Sequence, residues 1–207
     1  MDISFFLRGL LIGFSIAAPV GPIGVLCIRR TLADGRAYGF ISGLGAATAD
    51  AFYGFVAGFG LTFISSFLVS QGLWLRLIGG LFLLYLGVRT FISMPPTTPT
   101  ANDKGRLGLA SAYLSTLALT LTNPATILSF AVVFAGLGLA SGSGDYLAAI
   151  LLVIGVFIGS ALWWLLLSGG ISLVRDRFTL RALSWVNRSS GILITAFGII
   201  ALLTLLT

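Results

Sequence analysis

Apolar residues run in long stretches along this chain, separated by short polar connections. A helix needs about 20 apolar residues to cross the hydrocarbon core of a bilayer. On that scale the pattern predicts six spans, near residues 4–28, 37–67, 72–93, 107–139, 146–173 and 185–206. The longest polar stretch, residues 93–106, holds three prolines and no apolar period, so it predicts a flexible linker. The expectation is a single transmembrane domain, 1–207, with halves at about 1–93 and 107–207 joined by a linker at about 94–106.

Two of the six spans are interrupted near their middles. The first carries Ala18-Pro19-Val20-Gly21-Pro22 and the fourth carries Thr122-Asn123-Pro124-Ala125-Thr126. Pro19 and Pro22 each lack an N–H and clash with the preceding turn, and Gly21 between them tolerates unusual dihedrals. They predict one half-helix stopping and a second starting. Pro124 repeats the interruption, with Asn123 as a candidate cap. Backbone groups left unpaired in hydrocarbon cost several kcal/mol each, so such breaks belong where protein or a watery cavity surrounds them. Half-helix N–H groups would seat a carboxylate, and the opposing carbonyls a cation.

An internal repeat relates the two breaks. The third span contains Trp74-x5-Gly80-x6-Gly87 and the sixth contains Trp185-x5-Gly191-x6-Gly198. The first three spans then correspond to the last three, and because three is odd the second copy is inverted in the membrane. The predicted fold is an all-α polytopic membrane protein of two inverted three-helix repeats, with spans 1 and 4 broken.

Composition narrows the class. Of 207 residues, 57% are hydrophobic and only 9% charged, against roughly a quarter charged in soluble domains; the mean hydropathy is +1.08. A membrane β-barrel would show short alternating segments instead. The net charge of +6 does not read as nucleic-acid binding, because the arginines sit at the ends of apolar runs. Residues 9–17 resemble the apolar core of a secretory signal, but the run resumes through Cys27-Ile28, which predicts an uncleaved span. Arg29, Arg30 and Arg36 fall in the first connection. Arg89, Lys104 and Arg106 fall in the third, and Arg175, Arg177, Arg181 and Arg188 in the fifth. By the positive-inside rule these connections face the cytoplasm and both termini the periplasm.

The second span carries the most specific chemistry. Gly39, Gly43, Ala47, Asp50, Gly54 and Gly58 recur at spacings of four, four, three, four and four, one stripe of a helix. Small residues at that spacing predict a close-packed seam, within one chain or between two copies, so a homodimer stays open. Asp50 is the one acidic residue in the middle of any span. A carboxylate at bilayer depth costs several kcal/mol or takes up a proton. It reads either as a structural partner for a freed N–H at a break or as a coupling group for protons and substrate. Tyr53, one turn on, could donate to Asp50 or to a substrate. Trp163 and Trp164 lie mid-span, where packing or cavity lining would serve, while Trp74 and Trp185 fit interfacial anchors.

With one cysteine and no histidine, disulfide frameworks and Cys/His metal sites are excluded. No Walker, Rossmann, HExxH, GxSxG or CxxC pattern occurs, so no cofactor and no enzymatic chemistry is predicted.

Gly9-x3-Gly13 leading into the Pro19–Pro22 turn, the glycine stripe with Asp50, and Asn123-Pro124 together resemble the LysE/RhtB amino-acid exporter family over essentially the whole chain. Family members usually show Pro-Gly-Pro where this chain has Pro19-Val20-Gly21-Pro22. They usually show Asn-Pro-Lys-Ala where it has Asn123-Pro124-Ala125-Thr126, so the role of that lysine is not carried over. The resemblance implies proton-driven efflux of amino acids or derivatives across the bacterial inner membrane. It also implies a site at Pro19, Gly21, Pro22, Asp50, Asn123 and Pro124. A small zwitterion and protons are the expected partners, with the two halves alternating around the site. The other readings are a divalent-metal exporter of the wider superfamily, poorly served by one central aspartate, and a non-transporting structural membrane subunit.

Overall fold

The computed structural model describes residues 3–19, 21–59, 71–93, 105–123, 126–127, 129–130, 146–175 and 179–203. These residues form α1 (Ile3–Ala17), α2 (Pro22–Asp34), α3 (Arg36–Gly58), α4 (Gly72–Ile92), α5 (Gly105–Leu121), α6 (Tyr146–Arg175) and α7 (Leu180–Leu203). Residues 126–127 and 129–130 are also helical, and no strand occurs among the described residues. Expected features at Val20, Pro124, residues 60–67, the linker through Lys104, residues 131–139 and residues 204–206 lie outside the described residues.

The architecture is that of an all-helical polytopic membrane protein. By length and apolarity, α6 and the segment Arg181–Leu203 of α7 each suffice to cross a membrane. The pair α1 and α2, bent by 79°, makes a third where it crosses as one broken span. Shorter apolar stretches fill Leu77–Ile92 and Gly108–Leu121. Large apolar side chains stand on the outside, among them Leu7, Leu11, Ile78, Leu81, Val88 and Ile192. Such a surface is matched to lipid.

The first connection departs from expectation. Arg29 and Arg30 are not in a loop: α2 carries on to Asp34, and Gly35 alone separates it from α3. Gly35 takes φ +107°, and its N–H donates to the Arg30 and Thr31 carbonyls at 3.1 and 3.2 Å. This left-handed position closes α2 and reverses the chain, as glycine does at helix C-termini. The arginines stay helical because polar groups of neighbouring helices receive them.

Glycines set the helix crossings. Side chains at Gly9 and Gly13 of α1 would strike the Leu152 and Val156 carbonyls of α6. Side chains at Gly155 and Gly159 would strike the Phe6 and Leu10 carbonyls of α1. The register rises together, so α1 and α6 run parallel with their backbones in contact. On α3, Gly45 faces the Tyr113 carbonyl and the Leu117 N–H of α5 in the same manner. Helices α4 and α7 cross antiparallel. A Cβ at Gly80 would lie 3.3 Å from the Gly198 carbonyl oxygen, and one at Gly87 would lie 3.0 Å from that of Gly191.

The expected stripe on α3 is a seam with two partners. Gly39 accommodates Thr31 of α2, Gly43 makes room for Trp164 of α6, and Gly54 packs on Val156 of α6. Ala47 is completely buried. Trp74 and Trp185 are exposed at matching places on α4 and α7.

Candidate functional site

Asp50 lies on α3 where it crosses α6, and only 3% of its surface is exposed. Its Oδ2 accepts a hydrogen bond from Ser160 Oγ at 2.7 Å, and Ser160 Oγ accepts one from Trp164 Nε1–H at 3.1 Å. A chain of donors therefore runs from the indole through the hydroxyl to the carboxyl. Gly43 is what allows Trp164 to sit there, since any side chain at 43 would overlap it. The small-residue stripe thus positions the partners of its own aspartate.

Apolar packing brackets this polar chain. One buried cluster joins Ala17 and Ile23, which flank the first break, to Ala46, Ala47, Leu119 and Trp164. A second joins Tyr53, Ile127 and Phe130 to Ile12, Leu152 and Val156. Asp50 lies between Ala47 and Tyr53 on α3, and Ser160 lies between Val156 and Trp164 on α6. The carboxyl is held at the seam between two apolar clusters, each reaching one of the breaks. In such surroundings its hydrogen bond to Ser160 counts for more than it would in water.

The first break forms as expected. Helix α1 ends with the Ala18 N–H on the Phe14 carbonyl at 3.0 Å, and α2 starts at Pro22 with the Val25 N–H on the Gly21 carbonyl at 3.0 Å. Pro22 at the first position of α2 forfeits only an N–H that helix geometry leaves without an intrahelical acceptor. Gly21 differs from expectation. Its φ of −105° and ψ of −164° are extended backbone open to any residue. Its distinguishing property is space: a Cβ there meets nothing within 4 Å. Pro19 is exposed, Gly21 and Pro22 half-buried.

At the second break α5 ends at Leu121, and the Asn123 N–H bonds the Thr120 carbonyl at 3.2 Å. The helical path resumes with the Ile127 N–H on the Asn123 carbonyl at 3.2 Å. Asn123 therefore occupies the half-in position at the start of the second segment, as a cap residue would. Tyr53 departs from its expected role. Its hydroxyl proton goes to the Leu121 carbonyl at 2.6 Å, not to Asp50. A carbonyl at the end of α5 is a strong acceptor in an apolar setting, and Tyr53 donates to it. Trp163 packs edge-to-face on Phe14 at 5.4 Å.

Ser160 is not conspicuous in the sequence, because a serine in an apolar span means little until its partner is known. The sequence presents Arg29 and Arg30 as topology signals only. In the structure Arg29 Nε donates to Asn187 Oδ1 and its Nη2 to Ser93 Oγ, both at 3.0 Å. Arg30 reaches Ser42, Ala112, Ser115 and Thr116. Arg175 Nε donates to the Leu32 carbonyl at 3.1 Å. These contacts gather one end of α2 through α7.

The sequence model of the family described as LysE type translocator matches residues 14–205. A Bacillus subtilis (strain 168) protein named "Putative amino acid efflux protein YcgF" is 28% identical over 198 residues, spanning 94% of this chain and 93% of its own length. No solved structure matches the chain.

Proposed function

Because the chain belongs to the LysE type translocator family, we infer that it exports amino acids or their derivatives across the bacterial inner membrane in exchange for protons. The observation that carries this reading is the Asp50–Ser160–Trp164 chain, enclosed where α3 crosses α6 and bracketed by clusters that reach both helix breaks. A buried carboxyl with one neutral donor can hold a proton or pair with an ammonium group, and those two states are what an exchanger needs. The first N–H groups of α2, beside the open space at Gly21, offer a place for the other end of a zwitterion. With one acid at depth, the substrate class is amino acids with uncharged side chains.

The fold supports two inverted repeats of three spans. Exchanging matched positions, Gly80 with Gly191 and Gly87 with Gly198, carries the α4–α7 contacts onto themselves. Gly45 against Tyr113 and Leu117 has its counterpart in Gly155 against Phe6 and Leu10. Under the same exchange Asp50 pairs with Ser160, so the site sits on the repeat axis with unequal halves. The arginine-bearing end faces the cytoplasm and both termini the periplasm, in keeping with the positive-inside rule. Pro19, Gly21, Pro22, Asn123 and Pro124 are assigned to the substrate path with Asp50. Tyr53 fixes the second break rather than touching the solute.

The test is exchange in proteoliposomes carrying a pH gradient, with a panel of radiolabelled neutral L-amino acids. Asp50→Asn, which keeps the size and can still accept from Ser160, should abolish gradient-driven flux. Undiminished flux in that variant would remove Asp50 from the coupling role.

A further inference from the structure

Helices α2 and α5 barely pack against each other, and what spans the interval between them is one guanidinium. Arg30 of α2 sends Nη1 to Ser42 Oγ of α3 at 2.8 Å, to the Ala112 carbonyl at 2.9 Å and to Thr116 Oγ1 at 2.8 Å. Its Nη2 goes to Ser115 Oγ at 2.8 Å. Ser42 and Thr116 are fully buried and Ala112 nearly so, so the charged group is held inside the bundle rather than at its rim. These four acceptors are uncharged; the Asp34 carboxylate, one turn along α2, acts on Arg30 electrostatically in addition. Three of them, Ser42, Ser115 and Thr116, are hydroxyls that also donate to carbonyls of their own helices.

Contrast the neighbouring arginines. Arg29 ties α2 to Asn187 of α7, which itself donates to the Ser93 carbonyl, and Arg175 caps the last carbonyls of α2. Arg29 also donates to Ser93 Oγ at the end of α4, so these contacts fasten α2 to α6, to α7 and to the end of α4. Arg30 alone reaches across to α5, with a planar fork better matched to a carboxylate than to scattered hydroxyls. From Ser42 to Asp50 is eight residues of α3, or about 12 Å along its axis. Arg30 thus stands on the way from the arginine-bearing end to Asp50.

We propose that Arg30 is a carboxylate-binding gate: it exchanges its hydroxyl and carbonyl acceptors on α3 and α5 for the carboxylate of an incoming amino acid, and in doing so releases α2 from α5. The proposal rests on the amino-acid reading above and adds to it the group that first recognises the substrate and the contact that substrate breaks. Neutral acceptors suit this use. They satisfy the guanidinium while the site is empty, yet a charge-assisted bidentate pair displaces them. A protein carboxylate in their place would compete with the substrate.

The experiment uses the full-length protein in inside-out vesicles, with neutral L-amino acids and their carboxamides as probes, and the purified protein for melting temperatures with the same probes. Wild type should move the acids and not the amides. Arg30→Gln should lose roughly 10- to 100-fold in kcat/KM for the acids, and Arg30→Lys should recover part of it. The paired change Ser115→Ala with Thr116→Ala leaves the charge and removes its competitors, so KM for the acids should fall several-fold. A merely structural Arg30 predicts the opposite, a weakened protein with unchanged or raised KM. The proposal is overturned by unchanged KM in Arg30→Gln, or by unchanged or raised KM in the paired variant. Should wild type move no amino acid, the export reading fails. An Arg30-dependent rise in melting temperature with the acids, absent with the amides, would then still uphold the carboxylate site, and its absence would sink it.

Discussion

Tyr53 shows how one residue holds a break in place. Its ring packs at 5.6 Å from Phe130 and its hydroxyl satisfies the last carbonyl of α5, so it links α3 to both sides of the second interruption. Tyr53→Phe keeps the packing and orphans the Leu121 carbonyl. The expected cost is about 1 kcal/mol, at the scale of interhelical hydrogen bonds in membrane proteins, read as a lower midpoint of unfolding in detergent. Transport should fall less than in Asp50→Asn, because the tyrosine acts on the backbone and not on the solute. The residue was legible from the sequence as one turn from Asp50, but its partner was not. Nothing local announces that Leu121, 68 positions away, presents a carbonyl there. Asp50 itself was conspicuous because charge at bilayer depth is rare, whereas Ser160 becomes visible only once α3 and α6 are brought together.

At the scale of elements, Gly43 and Gly21 have opposite meanings. Gly43→Val would drive its side chain into Trp164 and push α6 away from α3, an overpacking cost of about 1–3 kcal/mol. Gly21→Val enters open space on extended backbone and should leave the unfolding midpoint near wild type. If that space admits solute, the same change should lower flux. Measuring midpoint and flux on both variants separates a packing glycine from a cavity glycine. Helix ends followed the sequence where proline or glycine dictates them. Pro19 and Pro22 stop α1 and start α2, and α4 spans Gly72–Ile92 nearly as its apolar run suggests. Arg29 and Arg30 mislead because a charge ending an apolar run normally marks water. Here α2 continues for more than a turn, its arginines solvated by Asn187, Ser93, Ser42 and Thr116 instead.

In the whole molecule, packing runs chiefly between the two sequence halves. Helix α1 lies on α6, α4 on α7, and α3 on both α5 and α6, whereas among the described residues of the first half only α2 and α3 pack extensively. The two sequence halves therefore share most of their described packing surface with each other. Co-expressing residues 1–104 and 105–207 as separate chains should consequently restore a complex that co-purifies in mild detergent and exchanges solute. Failure of the two pieces to associate would show that the linker does more than connect. The crossing of α4 with α7 carries this further. Since Gly80 meets Gly198 while Gly87 meets Gly191, each copy of the motif presents the surface that the other copy needs. A half-length chain inserted in both orientations would already own that interface. On the inverted-repeat reading, fusion of two such chains would preserve that pairing of opposites, with an acid at position 50 facing a serine at 160.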